Sequence, residues 1–388
     1  MSERIRFVAR VEEGENIKDL AREFGISEKT AHKFLGRWKA EGADGLRDRS
    51  RAPQRIPHRT SPEVIELILA TRRAHPTWGA RKIKKRLEVT HPGVLTPSSF
   101  TMQAWMRNAG LIGPTRRYRR HVPPAPTGLT QPQQPNDVWA TDFKGQFRLG
   151  NGLLCYPLTA TDLCSRYVLA CEALESTKGD PVWPIFERLF REYGVPPGIR
   201  TDNGPPFASR GLAGLSQLSV KWLQLGIKHE RIDPGEPQQN GSHERMHRTL
   251  KQETTRPAKA NLLQQQERFD TFVEEFNHER PHQALAMQRP ADVYRPSPRR
   301  YDGLPELAYP LHDEVYRVDN RGVIQTPDNR GCYLSQALVG CHVGLREIDD
   351  GRWLVTFASV DLGYYDERER AFAEMDGNFN EGSPISPL

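Results

Sequence analysis

Residues 136–147 read NDVWATDFKGQF: an apolar, β-favouring run with one carboxylate, Asp142, set inside it. A charge in such a strand needs solvent, a partner or a cation, because burying it alone is costly. Val138–Phe147 is followed by two further β-rich runs, Leu154–Ala160 and Tyr167–Leu174, separated by turn residues. The three together predict an antiparallel meander. Beyond them the pattern alternates. Val182–Tyr193 and Leu212–Leu225 have helical apolar spacing, Gly198–Thr201 and Ile227–Ile232 are short and extended, and Asn240–Thr255 and Leu262–His278 are again helical. Strands first, then alternating α and β, predict a mixed sheet flanked by helices, an α/β core over residues 136–300.

Working towards the N-terminus, residues 113–135 (GPTRRYRRHVPPAPTGLTQPQQP) and 47–60, which include RDRSRAPQRIPHR, are rich in Arg and Pro without apolar period. Both read as linkers. They separate two helical units. In residues 1–46, Ile17, Leu20, Ala21 and Phe24 form an i, i+3, i+4, i+7 stripe, Gly25 ends it, and Ser27 is placed to cap a second helix. Helix, tight turn, helix predicts a helix-turn-helix DNA-binding domain with Lys29, Thr30, His32, Lys33 and Arg37 along the groove-entering helix. Residues 61–112 predict a second all-α DNA-binding unit, with Arg81, Lys82, Lys84 and Lys85 giving one helix a dense positive surface. Arg51 and Arg55 of the tether are candidates for a minor groove. Towards the C-terminus, EVYRV, GVIQT, CYLS, HVGLREI and WLVTFA alternate with turn signals at Asp319–Gly322 and Asp349–Gly351, predicting a small β-barrel over 305–360, then an acidic tail over 361–388.

Charge sharpens this division. The formal net charge of +6 combines 26 Lys/Arg against 13 Asp/Glu in residues 1–135 with a net acidic remainder. A basic first third is the electrostatic footprint of a polyanion-binding arm. Five cysteines (155, 164, 171, 332 and 341) contain no CxxC, so neither a disulfide scaffold nor a cysteine zinc site is expected. The opening MSERIRFVAR has no apolar signal-peptide core, and no run reaches the roughly 18 apolar residues of a membrane span. A cytoplasmic, nucleoid-associated protein is expected.

Three carboxylates stand in suggestive settings: Asp142 in WATDF, Asp202 in IRTDNG at the end of a short strand, and Glu244 in QQNGSHERMHRTLK at the start of a helix. Together with FNHERPHQAL, these motifs, in this order over roughly Asn136–Arg295, resemble the DDE integrase-core transposases of bacterial insertion sequences and, more distantly, retroviral integrases. The resemblance implies a ribonuclease-H-like fold in which Asp142, Asp202 and Glu244 meet as catalytic residues and metal ligands. It also implies two Mg²⁺ per active site with Mn²⁺ as a substitute, binding of double-stranded DNA at element ends and target, a homo-oligomer on that DNA, and strand cleavage followed by strand transfer. One departure concerns spacing: 41 residues separate Asp202 from Glu244, and the commoner, shorter spacing would end on Gln238. Glu236 is nearer to it but lies in a loop. Glu244 shares a helix face with Arg248 and Lys251 at i+4 and i+7, expected DNA contacts, and is the choice made.

The chemistry suits these residue types. Clustered carboxylates repel one another and raise a pKa unless hard divalent cations neutralise them. Two such cations can activate a water or a 3′-hydroxyl and stabilise the leaving oxygen in an in-line displacement. A competing reading sits on the same helix, because His243-Glu244-Arg245-Met246-His247 is a literal HExxH, the zinc-peptidase pattern. It leaves Asp142, Asp202 and the basic arm unexplained. A third reading is a catalytically silent DNA-binding regulator built on the same core. Asp162, Asn277, Arg280, His282 and Trp139 are read as packing or positioning residues.

Overall fold

The structure, a computed structural model, describes residues 2–49, 59–113, 128–178, 181–233 and 235–375, with the side chains of 237 and 238 left aside. It divides into two units, Met1–Ser61 and Pro62–Leu388. Arg51 and Arg55, proposed for a minor groove, and the Arg-rich run at 116–120 lie outside the described residues.

The first unit holds α1 (Ser2–Glu12), α2 (Ile17–Glu23) and α3 (Glu28–Glu41) around Phe7, Leu20, Ala21, Ala31, Leu35 and Leu46. The Lys18 backbone N–H donates to Asn16 Oδ1 at the start of α2, and the Thr30 N–H donates to Ser27 Oγ at the start of α3. Gly25, at φ 63°, makes the turn between them, a conformation that costs glycine little. The expected helix-turn-helix is therefore present. The sequence reading did not pick out α1, whose buried stripe comes down to Phe7 and Val8.

In the second unit, α4 (Pro62–Ala74), α5 (Ala80–Thr90) and α6 (Ser99–Asn108) enclose Ile68, Trp78, Ile83, Leu87, Met102 and Met106. This three-helix group packs directly on the α/β core: the Thr77 hydroxyl bonds Glu253, His75 Nδ1 lies 2.6 Å from Glu275 Oε1, and Arg86 pairs with Glu279 at 2.8 Å. Part of the basic surface of α5 thus faces the core.

The core sheet comprises β1 (Val138–Phe143), β2 (Phe147–Arg148), β3 (Leu154–Asp162), β4 (Val168–Leu174), β5 (Gly198–Thr201) and β6 (Lys228–Arg231). Strands β1, β3 and β4 form the expected antiparallel meander, and β5 and β6 continue beyond β1 in parallel. The sheet is mixed, as the strand and helix pattern predicted. One face carries α7 (Val182–Tyr193) and α8 (Gln217–Gln224), the other α9 (Gly241–Thr254) and α10 (Leu262–Glu274). Leu158 and Ala160 of β3 point to the first face; Cys155 packs on the second, and Thr159 and Thr161 point to α9. This is strand periodicity with both faces buried. Two expected helices are altered. Leu212–Gly214 turns in a 3₁₀ step before α8, and α10 widens to a π-turn over Glu275–Glu279. That widening turns Asn277 inward, where its amide clasps the Val168 backbone by bonds of 2.8 and 2.9 Å.

After residue 305 lie β7 (Glu314–Arg317), β8 (Val323–Gln325), β9 (Gly331–Tyr333), β10 (His342–Asp349), β11 (Arg352–Phe357), β12 (Val360–Asp366) and β13 (Ala371–Glu374). They pair as an open five-stranded antiparallel sheet, β13-β12-β11-β10-β7, beside a β8–β9 hairpin. The expectation of a closed barrel is corrected: among the described residues no ladder joins β13 to β7. The expected tail from 361 is corrected as well, since Leu362 and Tyr365 are buried and draw 360–374 into the sheet. The sheet also shares a core with α8. Val220 and Leu223 of that helix join Leu212 and Leu215 against Val318, Leu345, Val355 and Phe357, while Leu218 and Trp222 face the central sheet. Helix α8 is buried on two sides.

This shared packing makes a prediction. Phe357 is fully buried, so Phe357→Ala is expected to cost about 3–5 kcal/mol. Because α8 belongs to both cores, residues from 62 onward should unfold in a single denaturant transition shifted as a whole; two separated transitions would contradict the shared core.

Candidate active site

The site begins with register. Strand β1 pairs with β5 in parallel, Val138 opposite Gly198 and Ala140 opposite Arg200. Continuing that register by two residues places Asp142 level with Asp202, just past the end of β5. Side-chain alternation turns Ala140 and Asp142 to the face covered by α9, and Trp139 and Phe143 to the opposite core. Glu244 lies in the first turn of α9. The structure brings the three together electrostatically. Burial first, then the charge of Asp202, push the Asp142 carboxyl up to about 7. A backbone hydrogen bond at Phe143 and the charge of Lys144 oppose this, and Glu244 adds a smaller push.

Each aspartate is held by its surroundings. The Gly204 backbone N–H donates to Asp202 Oδ1 at 3.1 Å, and the Asn203 amide donates to the Ile232 carbonyl at 2.7 Å, fixing the turn. Beneath it, Thr201 Oγ1 donates to the Asp202 carbonyl and lies 2.8 Å from His229 Nε2. Burial drives His229 down to about 3, so that ring is neutral. Under Asp142, the Thr159 hydroxyl donates to the Asp142 carbonyl at 3.1 Å. Its oxygen also meets His243 Nε2 at 2.9 Å and His247 Nε2 at 2.6 Å. A hydroxyl has one hydrogen, so with that hydrogen spent both imidazoles donate their Nε2–H. The Thr161 hydroxyl then donates to His243 Nδ1 at 2.8 Å, and His247 Nδ1 faces Asp142 Oδ2 at 3.7 Å.

This arrangement answers the HExxH reading. The donor atoms of Asp142, His243 and His247 lie within 4.8 Å of one another. Yet both ring nitrogens of His243 are engaged by threonine hydroxyls, and His247 Nε2 is engaged by Thr159; burial keeps both rings neutral, with His243 at about 3 and His247 at about 2. The histidines occupy the inner stripe of α9 with Met246, Leu250 and Thr254. They pack on β3 through the Thr159 and Thr161 hydroxyls. Glu244, Arg248 and Lys251 lie on the exposed face of the same helix, as the spacing predicted. Asp142 feels the charge of Asp202 and, more weakly, that of Glu244, and a hard divalent cation is the kind of ion that relieves repulsion among carboxylates.

The other predicted residues are distributed over three places. Lys29, His32 and Lys33 are exposed on α3, Arg37 is half-buried, and Thr30 bonds Ser27 at the helix start. On α5, Arg81 is exposed and Lys84 and Lys85 are half-buried. Lys82 turns towards the core, where burial and the nearby Arg280 lower its ammonium to about 8. Asp162 is fully buried and accepts from the Asn136 N–H and from the Ser165 N–H and hydroxyl, a structural role. Arg280 pairs with Glu253 at 2.8 Å. The sequence reading missed Arg166 and Arg245, which meet beside α9, and Lys144, which faces Asp142. In the sequence Arg166 stands in the TATDLCSRY stretch that the family resemblance also covers, and Arg245 directly follows Glu244, but neither was given a role.

Two predictions follow from this geometry. The native chain keeps the Asp142 proton to about pH 7, whereas the unfolded chain releases it near pH 4. Between those values the native state binds more protons, so this group's contribution to stability falls as pH rises, by about 1.4 kcal/mol per unit at most. In EDTA, wild type should therefore lose melting temperature between pH 5.5 and 7.5 relative to Asp142→Asn; parallel profiles would refute the shift. A Cβ at Gly204 would lie 3.1 Å from Asp202 Oδ2. Gly204→Ala should weaken Mn²⁺ binding about tenfold by calorimetry with the fold intact.

Comparison with known proteins agrees with this architecture. The integrase core domain family matches residues 132–237 and 225–290; a helix-turn-helix domain matches residues 3–54 and a homeodomain-like domain residues 30–106. Over 195 residues the chain is 29% identical to the insertion element IS407 uncharacterized 31.7 kDa protein of Burkholderia multivorans, covering 48% of this chain and 65% of that one. It is 26% identical over 232 residues to the IS476 uncharacterized 39.2 kDa protein of Xanthomonas euvesicatoria, covering 60% and 63%. The chain thus spans just under two thirds of each relative's length. Among solved structures, the HTLV-2 integrase catalytic core domain in complex with magnesium aligns at 18% identity and TM-score 0.34, over 42% of this chain and all of that one. Residues 132–290 thus match the integrase core domain family, and matches to helix-turn-helix and homeodomain-like domains precede them.

Proposed function

We propose that the chain is a DNA transposase that binds the terminal inverted repeats of an insertion element and joins their ends to target DNA. The observation that carries the reading is Asp142, a strand carboxyl raised to about 7 by burial and by Asp202, with Glu244 adding to it. Such a cluster is costly without a cation and suited to one. Asp142, Asp202 and Glu244 would hold two Mg²⁺, with Mn²⁺ able to replace them. Bound there, the cations would supply Lewis-acid stabilisation of the phosphate and of the attacking and leaving oxygens.

The chain's own residues do the rest. Asp142 and Asp202 are carried on adjacent parallel strands, so their separation is fixed by the sheet. Thr159 with His247, and Thr201 with His229, hold the backbone beneath each carboxylate. Arg248 and Lys251 extend one and two turns beyond Glu244 on the exposed face of α9, where they pair with the phosphates of a strand crossing the site. The α3 residues Lys29, His32 and Lys33 read or grip the end in a major groove, with α5 and its Arg81, Lys84 and Lys85 adding phosphate contacts. Transposition holds two ends at once, so the working species is a homo-oligomer on DNA. It acts on chromosomal DNA in the cytoplasm.

The test uses the inverted repeats expected on either side of the gene. A pre-cut end carrying one repeat, incubated with the protein, Mg²⁺ and a target plasmid, should give strand-transfer products. Asp202→Asn should fall to background while binding the same end. Equal activity in that variant would overturn the assignment. Binding without transfer by wild type would instead support the silent-regulator reading.

A further inference from the structure

A cavity of about 650 Å³ lies along the flank of α9 that carries Ser242, Arg245 and Thr249. Its floor is apolar, formed by the buried Met246 and Phe276. Its walls carry five cations, Lys82, Arg166, Arg245, Arg248 and Arg280, against a single carboxylate, Asp162. Two of those charges are already answered: Arg280 pairs with Glu253, and Asp162 accepts from the Asn136 N–H and from the Ser165 N–H and hydroxyl. Among the described residues no carboxylate pairs with Arg166, Arg245 or Arg248. Arg166 reaches the cavity from the β3–β4 turn at φ 66°, a conformation few non-glycine residues adopt, held there by its N–H to the Asp162 carbonyl at 2.9 Å. Cations crowded in this way repel one another unless an anion sits between them.

The cavity does not end at α9. Lys82 and Gln283 also line a second hollow of about 590 Å³, which runs along α5 to Ser99, Phe100 and Gln103 of α6. Phe100 is 80% exposed there, unusual for a large aromatic. The two hollows make one groove from the helix that carries Glu244 to the helix group of residues 62–112. Its cations and the exposed face of Phe100 suit a nucleic-acid strand better than a compact anion.

We infer that this groove is a phosphodiester-binding track, in which Arg166, Arg245 and Lys82 grip the DNA backbone between α6 and the carboxylate site. The inference rests on the strand-transfer reading for its choice of anion. It adds Arg166 and Arg245, which no motif assigns, and it makes the docking of the helix group on the core a means of building the binding surface.

The test is the salt dependence of binding to a fluorescent duplex of mixed sequence by the full-length protein, in EDTA. Strand transfer is not read out, so a failure of the catalytic reading leaves this experiment intact. For Arg166→Ala/Arg245→Ala the slope of log K against log salt should shrink by about 1–2, with affinity down about tenfold at moderate salt. Arg166→Lys/Arg245→Lys should keep the wild-type slope. Arg245→Gln alone, a change at an exposed helix position that folding tolerates, should shrink it by about 1. An unchanged slope in the alanine pair and in Arg245→Gln would overturn the track. So would inorganic tripolyphosphate raising the melting temperature of wild type but not of the alanine pair while the DNA slope stays the same, which would give the cavity to a free polyphosphate.

Discussion

The parallel pairing of β1 with β5 is the constraint on which the site depends. Once Val138 lies opposite Gly198, the positions of Asp142 and Asp202 follow from strand rise and side-chain alternation, with no freedom left to the loops. The pairing is secured from both faces. Trp139 and Ile199 are buried with α7 and α8, and Val138 and Ala140 are fully buried on the other side. A register slip of one residue would turn Asp142 into the Trp139 core and Trp139 out of it. The apolar core therefore specifies the spacing of two like charges that repel one another. The unfavourable part of the site is maintained by packing that has nothing to do with its chemistry.

The repulsion left in this arrangement is what makes it useful. Asp142 sits at about 7 because burial disfavours its charge and Asp202 adds to that. Under the proposed function, full ionisation of the cluster would become favourable when a cation arrives, so protein stability and cation affinity would oppose each other at this one position. The neutral histidines beneath belong to the same economy of charge. Protonated rings under Asp142 would satisfy it internally and compete with a cation. Their burial among Thr159 and Thr161 keeps them neutral and leaves the carboxylate to face outwards.

Much of this was legible in the sequence because it rests on local periodicity. Val182–Tyr193 and Gly198–Thr201 are found with the expected bounds, and Glu244, Arg248 and Lys251 share an exposed face because i, i+4, i+7 demands it. The failures share a cause too. Whether β7 to β13 close into a barrel depends on which edges meet, and edge pairing has no local signature. Residues 361–374 looked like an acidic tail by composition, yet Leu362 and Tyr365, three apart across a β-bulge that breaks the alternation, are buried and hold them in the sheet. HERMH was ambiguous for a similar reason. Two histidines four apart mark one helix face, but only the partner strand decides whether that face meets a metal or two threonines.

The charge distribution gains a different meaning in the fold. In the sequence, the basic first third read as an arm separate from an acidic remainder. In the structure, part of that arm is built into the core: Arg86 pairs with Glu279, Lys82 sits beside Arg280, and His75 meets Glu275. The acidic residues near the end of α10 are therefore partly spent on docking α4 and α5. What remains beside α9 is a positive wall of arginines from three separate stretches of chain, next to a negative cluster of carboxylates. A polyanion crossing both is attracted by the first and repelled by the second until cations fill it. Under the proposed function, cation loading would be a condition for DNA to seat at the carboxylates, while the flanking arginines would retain the strand whether or not that condition is met.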